Sequence, residues 1–107
     1  MSTIKLEPTT AAANSTPFTI TNRTAVIAIY PSTGTTITDD QSSALKRLCP
    51  SGEYIQVSDL SGDIIMGVSL NIIEGLSAGT YRIEKGATIE AIGVEFVDGT
   101  PTAPYGY

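Results

Sequence analysis

Between Asp63 and Ile73 apolar and polar residues alternate with period two: Ile64, Met66, Val68, Leu70 and Ile72 share one face, while Asp63, Gly67, Ser69 and Asn71 stand opposite. Successive side chains of a strand point to opposite faces, so the pattern predicts a half-buried strand over 63–73. Phe18 and Ile20 alternate with Thr19 and Thr21 in the same way. The run Ala25-Val26-Ile27-Ala28-Ile29-Tyr30 is apolar on both faces, as expected of a strand at the centre of a sandwich or beneath another chain. Pro31-Ser32-Thr33-Gly34 is a turn, and Thr35–Thr38 reads as a short edge strand. Glu53–Ser58 is a further strand with Ile55 and Val57 inward, followed by a turn at Leu60-Ser61-Gly62-Asp63. Thr80–Glu84 and Thr88–Val97 read as a hairpin turning at Lys85-Gly86. The apolar parity changes beside Gly93, which suggests a β-bulge there.

One segment has helical spacing. Ala44, Leu45, Leu48 and Cys49 form an apolar stripe, Asp39 or Asp40 can cap it, Lys46 and Arg47 suit its C-terminal end, and Pro50 with Gly52 stop it. The expected fold class is therefore all-β, mainly β with one short helix: an antiparallel β-sandwich or small barrel with an extended N-terminal arm. Residues 1–16 form the arm, 17–99 the β domain and 100–107 a C-terminal tail. The arm carries Thr9-Thr10-Ala11-Ala12-Ala13-Asn14-Ser15-Thr16 and few large apolar groups. It is not expected to fold alone. Its alternation of Ile4 and Leu6 with Lys5 and Glu7 suits addition to a neighbour's sheet edge.

Composition sharpens this picture. Only 16% of residues are charged against 41% hydrophobic, and fifteen Thr with ten Ser supply the polar surface. Uncharged polar groups cost less to bury than charges, which favours a surface partly covered by other chains. The net charge is −5, with +1 over residues 1–52 and −6 over 53–107. That balance argues against nucleic acid and against anionic membranes as partners. No apolar run has the length of a membrane span or of a signal peptide, so synthesis in the cytoplasm is expected. A single Cys, Cys49, forms no internal disulfide and reads as a small buried hydrophobe.

Histidine is absent, which removes Ser-His and Cys-His nucleophile pairs and most zinc sites. The close carboxylate pairs, Asp39/Asp40 and Asp59/Asp63, sit at turns or caps. Asp59 and Asp63 around Ser61-Gly62 lack the ligand spacing of a calcium loop. No catalytic residue, metal site or cofactor is expected, and the chain reads as a non-enzyme. Tyr30, Tyr54 and Tyr81 fall within strands, whereas Tyr105 and Tyr107 lie in a Pro- and Gly-containing tail suited to docking on another surface.

The Thr/Ala/Ser-rich arm from Thr9 to Thr16, the compact β domain and the acidic, His-free, Cys-poor composition resemble the plan of small structural proteins of tailed-bacteriophage virions, particularly head decoration (cement) proteins. The stretch Leu76-Ser77-Ala78-Gly79-Thr80-Tyr81-Arg82-Ile83 is similar to hairpin entries common in virion β domains. The resemblance implies a homo-oligomer, often a trimer, bound to a major capsid or other virion protein, with the arm clamping a neighbour. The expected location is the virion, after synthesis in the host cytoplasm. The contact residues expected on this reading are Ile4, Leu6, Thr9, Thr10, Phe18, Val26, Ile27, Ile29, Tyr30, Tyr105 and Tyr107. A carbohydrate- or receptor-binding β module of a phage fibre or tail is the alternative. It requires exposed aromatic clusters at loop ends, which the sequence hardly supplies.

Overall fold

A computed structural model of the protein describes residues 2–34, 36–38 and 42–98. Two antiparallel sheets enclose one core. Sheet A runs β1 (Ser2–Thr9), β12 (Ile92–Val97), β4 (Val26–Pro31), β10 (Ile72–Glu74) in spatial order. Sheet B centres on β11 (Gly79–Lys85) and β5 (Ser43–Leu48). On one side of that pair lie β2 (Ala13–Asn14) and β3 (Phe18–Ile20); on the other lie β6 (Tyr54–Gln56) and β9 (Ile65–Met66). A two-stranded hairpin, β7 (Ser58–Asp59) with β8 (Gly62–Asp63), projects from sheet B's sequence neighbourhood. Its return requires the positive φ of 122° at Gly62, a region β-carbons disfavour.

The all-β expectation holds, and the two sheets make a sandwich. Alternation decides which side chains meet between them. Ile27 and Ile29 of β4 face Ile92, Val94 and Phe96 of β12 and, from sheet B, Phe18, Ile20, Leu45, Tyr81 and Ile83, all almost fully buried. Phe18 stacks on Phe96 with ring centroids 4.9 Å apart, tying the two sheets together.

Five sequence expectations are corrected. The segment expected as a helix is strand β5, central in sheet B and paired over Ser43–Arg47 with β11. Its stripe of Ala44, Leu45, Leu48 and Cys49 fits a helix, but Ser43 and Leu45 alternate inward equally well, and the ladder of β11 selects the strand. The proposed caps, Asp39 and Asp40, lie outside the described residues. The strand over 63–73 is interrupted: Gly67 and Leu70 exchange backbone hydrogen bonds around an exposed turn at Val68-Ser69, and the chain crosses from sheet B to sheet A. Val68 and Ile72 consequently face outward although Met66 is fully buried.

The hairpin at Lys85-Gly86 does not form either, because β11 and β12 belong to different sheets. The bulges lie on β1, between Ile4 and Leu6 and between Leu6 and Thr9, while Gly93 sits in a regular part of β12 opposite Tyr30. A β-carbon on Gly93 would stand 2.8 Å from the Leu6 carbonyl oxygen and 2.8 Å from the Tyr30 ring, so glycine is there to admit that ring. Finally, Thr36–Thr38 is not a strand; Ile37 is buried and Thr38 donates from its backbone N–H to Glu90 Oε1 at 2.6 Å.

The N-terminal arm is extended, as expected, but lies along its own domain. β1 pairs with the last strand, and Leu6 packs against the core. Beyond β1, Thr16 N–H donates to the Lys5 carbonyl, Ser15 exchanges bonds with Ile83, and the buried Lys85 ammonium donates to the Ala11 and Gly86 carbonyls at 2.9 Å each. Without β1 the backbone groups on that side of β12 would lack partners, which is the physical reason the arm stays home.

Candidate functional site

The outer faces of the two sheets differ in chemistry. On sheet A, outward positions follow from the register. Val97 stands beside Val26, Glu95 beside Ala28 and Gly93 beside Tyr30, with Ile72 and Glu74 continuing the Ala28 and Val26 rows on β10. Ile4 extends the Glu95 row onto β1. Aliphatic side chains therefore cross all four strands. Ile4, Val68 and Ile72 are 49%, 46% and 53% exposed, well above what a core residue shows. Ala28, Tyr30, Pro31, Val68 and Ile72 also line an open groove beside β10.

Tyr30 is the centre of this face. Its ring lies on Gly93, and its hydroxyl is buried without a hydrogen-bond partner. Burial, and then the neighbouring charges of Glu7 and Glu95, hold its pKa above the ordinary tyrosine value. Glu95 shares this face on β12, beside Ala28, and Glu74 stands on β10 beside Val26. Lys5, next to Ile4, turns the other way and places its ammonium 6.0 Å from the Phe96 ring centroid. Arg23, at the rim, shares a shallow pocket with Glu74.

Sheet B presents cations. Lys46 and Arg82 are paired across β5 and β11, and Glu84 bridges both, at 3.8 Å from Lys46 and 2.7 Å from Arg82. The Arg82 guanidinium lies 4.1 Å above the Tyr54 ring, an arrangement that fixes a flat cationic surface. One carboxylate shared by two cations leaves this face with a surplus positive charge. Arg47 lies on the other side of β5, in register with Tyr81: its guanidinium is 5.8 Å from the Tyr81 ring and donates to the Ala78 carbonyl.

The sequence-derived contact residues separate into groups. Ile4, Val26 and Tyr30 lie on the outer face of sheet A, with Val26 and Tyr30 half-buried. Thr9 ends β1 half-buried, and Thr10 is exposed just beyond it. Phe18, Ile27 and Ile29 are core residues at 2%, 1% and 5% exposure, so their contacts are within the domain; Leu6 likewise packs inward. Tyr105 and Tyr107 lie outside the described residues. Sequence reasoning missed Ile72, Glu95 and the Lys46–Arg82 pair. Parity of 92–97 about Val94 marks Glu95 as outward, but the cross-strand meeting of Lys46 and Arg82 needs a register no local pattern supplies.

Asp59 and Asp63 act as turn residues: Asp59 Oδ1 accepts from Ser61 N–H at 2.7 Å and Asp63 Oδ1 from the Ser58 hydroxyl at 2.7 Å. Among the described residues no three acidic or sulfur ligands gather at one point. Cys49 is half-buried at the end of β5. Comparisons with protein-family models, with curated proteins and with solved structures find no match.

Proposed function

We propose that this chain is a non-enzymatic structural protein of a virion, a decoration or cement protein that stabilises a shell by covering subunit boundaries. The observation that carries this reading is the outer face of sheet A, where Ile4, Val26, Ala28, Tyr30, Ile72 and Val97 stand on four adjacent strands with carboxylates between them. An exposed sheet face on which apolar side chains are interspersed with a few charges suits protein contact. Tyrosine at its centre supplies area at little entropic cost. The sparse charge of the whole sequence lowers the desolvation cost of covering it.

The test is co-sedimentation of the purified chain with isolated tailed-phage heads, beside light scattering of the chain alone. Retention in the pellet, abolished by Ile72→Asp or Val26→Asp in folded protein, is the expected result. A chain that stays in the supernatant with every shell tried overturns the reading. Binding to a glycan array through residues away from sheet A instead supports a receptor-binding module.

A further inference from the structure

The two outer faces are complementary in charge and opposite in direction. Sheet A offers an apolar band with Glu7, Glu74 and Glu95. Sheet B offers Lys46 and Arg82 sharing one carboxylate, with Ala44, Leu48 and Ile65 as apolar neighbours on the same side. A two-fold contact between two copies of sheet A would set these carboxylates against their own mates, which like-charge repulsion disfavours. We propose that a second copy of this chain docks its sheet B face, through Lys46 and Arg82, on the sheet A face around Tyr30 and Glu95. The inference rests on the reading of sheet A as a contact surface: within a row a second copy covers it, and only the terminal copy's sheet A is left to meet a shell.

The geometry of a sandwich then sets the form of the assembly. Its two outer faces look in opposite directions, so a heterologous contact between them stacks copies in a row and does not close into a trimer. Four strands about 4.8 Å apart and six residues at about 3.4 Å give roughly 400 Å² of sheet face, about half of what each partner buries in a standard interface. Each contact alone is therefore weak, and rows grow with concentration. The pairing of Glu95 with a cation across the contact makes the association fall as salt rises.

Sedimentation velocity and light scattering of the full chain, from micromolar to millimolar concentration and at low and high salt, test this. Expected is a mass that rises steadily above the 11.2 kDa monomer without a plateau at one oligomer and returns toward it in high salt. Glu95→Lys and Lys46→Glu each hold the chain at monomer mass, and the double variant, which exchanges the charges across the same contact, restores the rise. Lys46→Gln, which adds no charge beside Glu84, gives an intermediate loss, and circular dichroism establishes that each variant is folded. A monomer at all concentrations, a saturating trimer, or folded single variants that associate like the parent overturn the proposal. A double variant that stays monomeric overturns it as well. Should the parent chain be monomeric yet pellet with phage heads, this inference fails and the structural reading survives.

Discussion

At the scale of single residues, Tyr30 combines two features that seldom coexist: a central place on an outer sheet face and a hydroxyl buried without a partner. A buried unsatisfied polar group costs about 1–3 kcal/mol, so its removal is expected to be neutral or favourable. Tyr30→Phe keeps the ring that lies on Gly93 and deletes only that group. We expect the variant to match or exceed the parent in urea unfolding at neutral pH, by up to about 1 kcal/mol. The pH dependence has a definite sign. The folded-state pKa lies above the unfolded one, because burial and the charges of Glu7 and Glu95 oppose ionisation. Above the ordinary tyrosine value the unfolded chain loses its proton first, so the parent loses stability from there up to its raised folded pKa. The phenylalanine variant lacks this term, so the stability gap in its favour should widen on the alkaline side. Parallel alkaline curves for the two proteins would show that the hydroxyl is solvated.

At the scale of elements, β1 changes the meaning of the arm. Deleting residues 2–9 removes the ladder with β12, the inward packing of Leu6 and the Lys5 contact with Phe96, and exposes the edge beside Ile92 and Val94. Ladder bonds contribute about 1 kcal/mol each and a half-buried Leu a similar amount, against a total stability of about 5–15 kcal/mol. The truncated chain should unfold more than about 10 °C earlier by circular dichroism, or not fold at all. A truncation that leaves the melting curve in place would restore the picture of a free arm. How far the elements could be read from the sequence follows the same logic. Strands β3 and β4 are legible because Phe18, Ile20, Ile27 and Ile29 alternate cleanly into a core, and the two-sided β4 is indeed internal to its sheet. β5 is illegible because Leu45 and Leu48 satisfy a helical stripe as well as a strand, and only the partner β11 decides. The alternation over 64–72 misleads for a different reason. It continues through the Gly67–Leu70 turn, where a change of sheet reverses which side faces the core. The outer face of sheet A was half legible: Ile4, Val26 and Tyr30 are named by local pattern, whereas Ile72 and Glu95 join them only through register.

At the scale of the whole molecule, the chain repeatedly crosses between sheets, with β3, β5, β9 and β11 in sheet B and β4, β10 and β12 in sheet A. Neither sheet can be completed before the other, so the domain should unfold as one cooperative unit, with circular dichroism and tyrosine fluorescence giving coincident transitions. The order of assembly is also constrained. β5 and β6 pair across a short connection at Cys49-Gly52, whose ends are joined by a backbone bond, while β1 and β12 come from opposite ends of the described chain. Closing the roughly sixteen-fold longer loop between β1 and β12 costs roughly 2.5 kcal/mol more in chain entropy, so the pairing of the ends is the contact least favoured early. β1 is therefore expected to dock after the rate-limiting step. A Leu6→Ala variant, probing that docking, should speed unfolding in stopped-flow measurements and leave the refolding rate close to the parent's, a φ-value near zero. With a topology dominated by non-local pairing, refolding itself should take about milliseconds to seconds. If Leu6→Ala slows refolding instead, the two ends meet in the transition state, and β1 with β12 belongs to the nucleus of the sandwich.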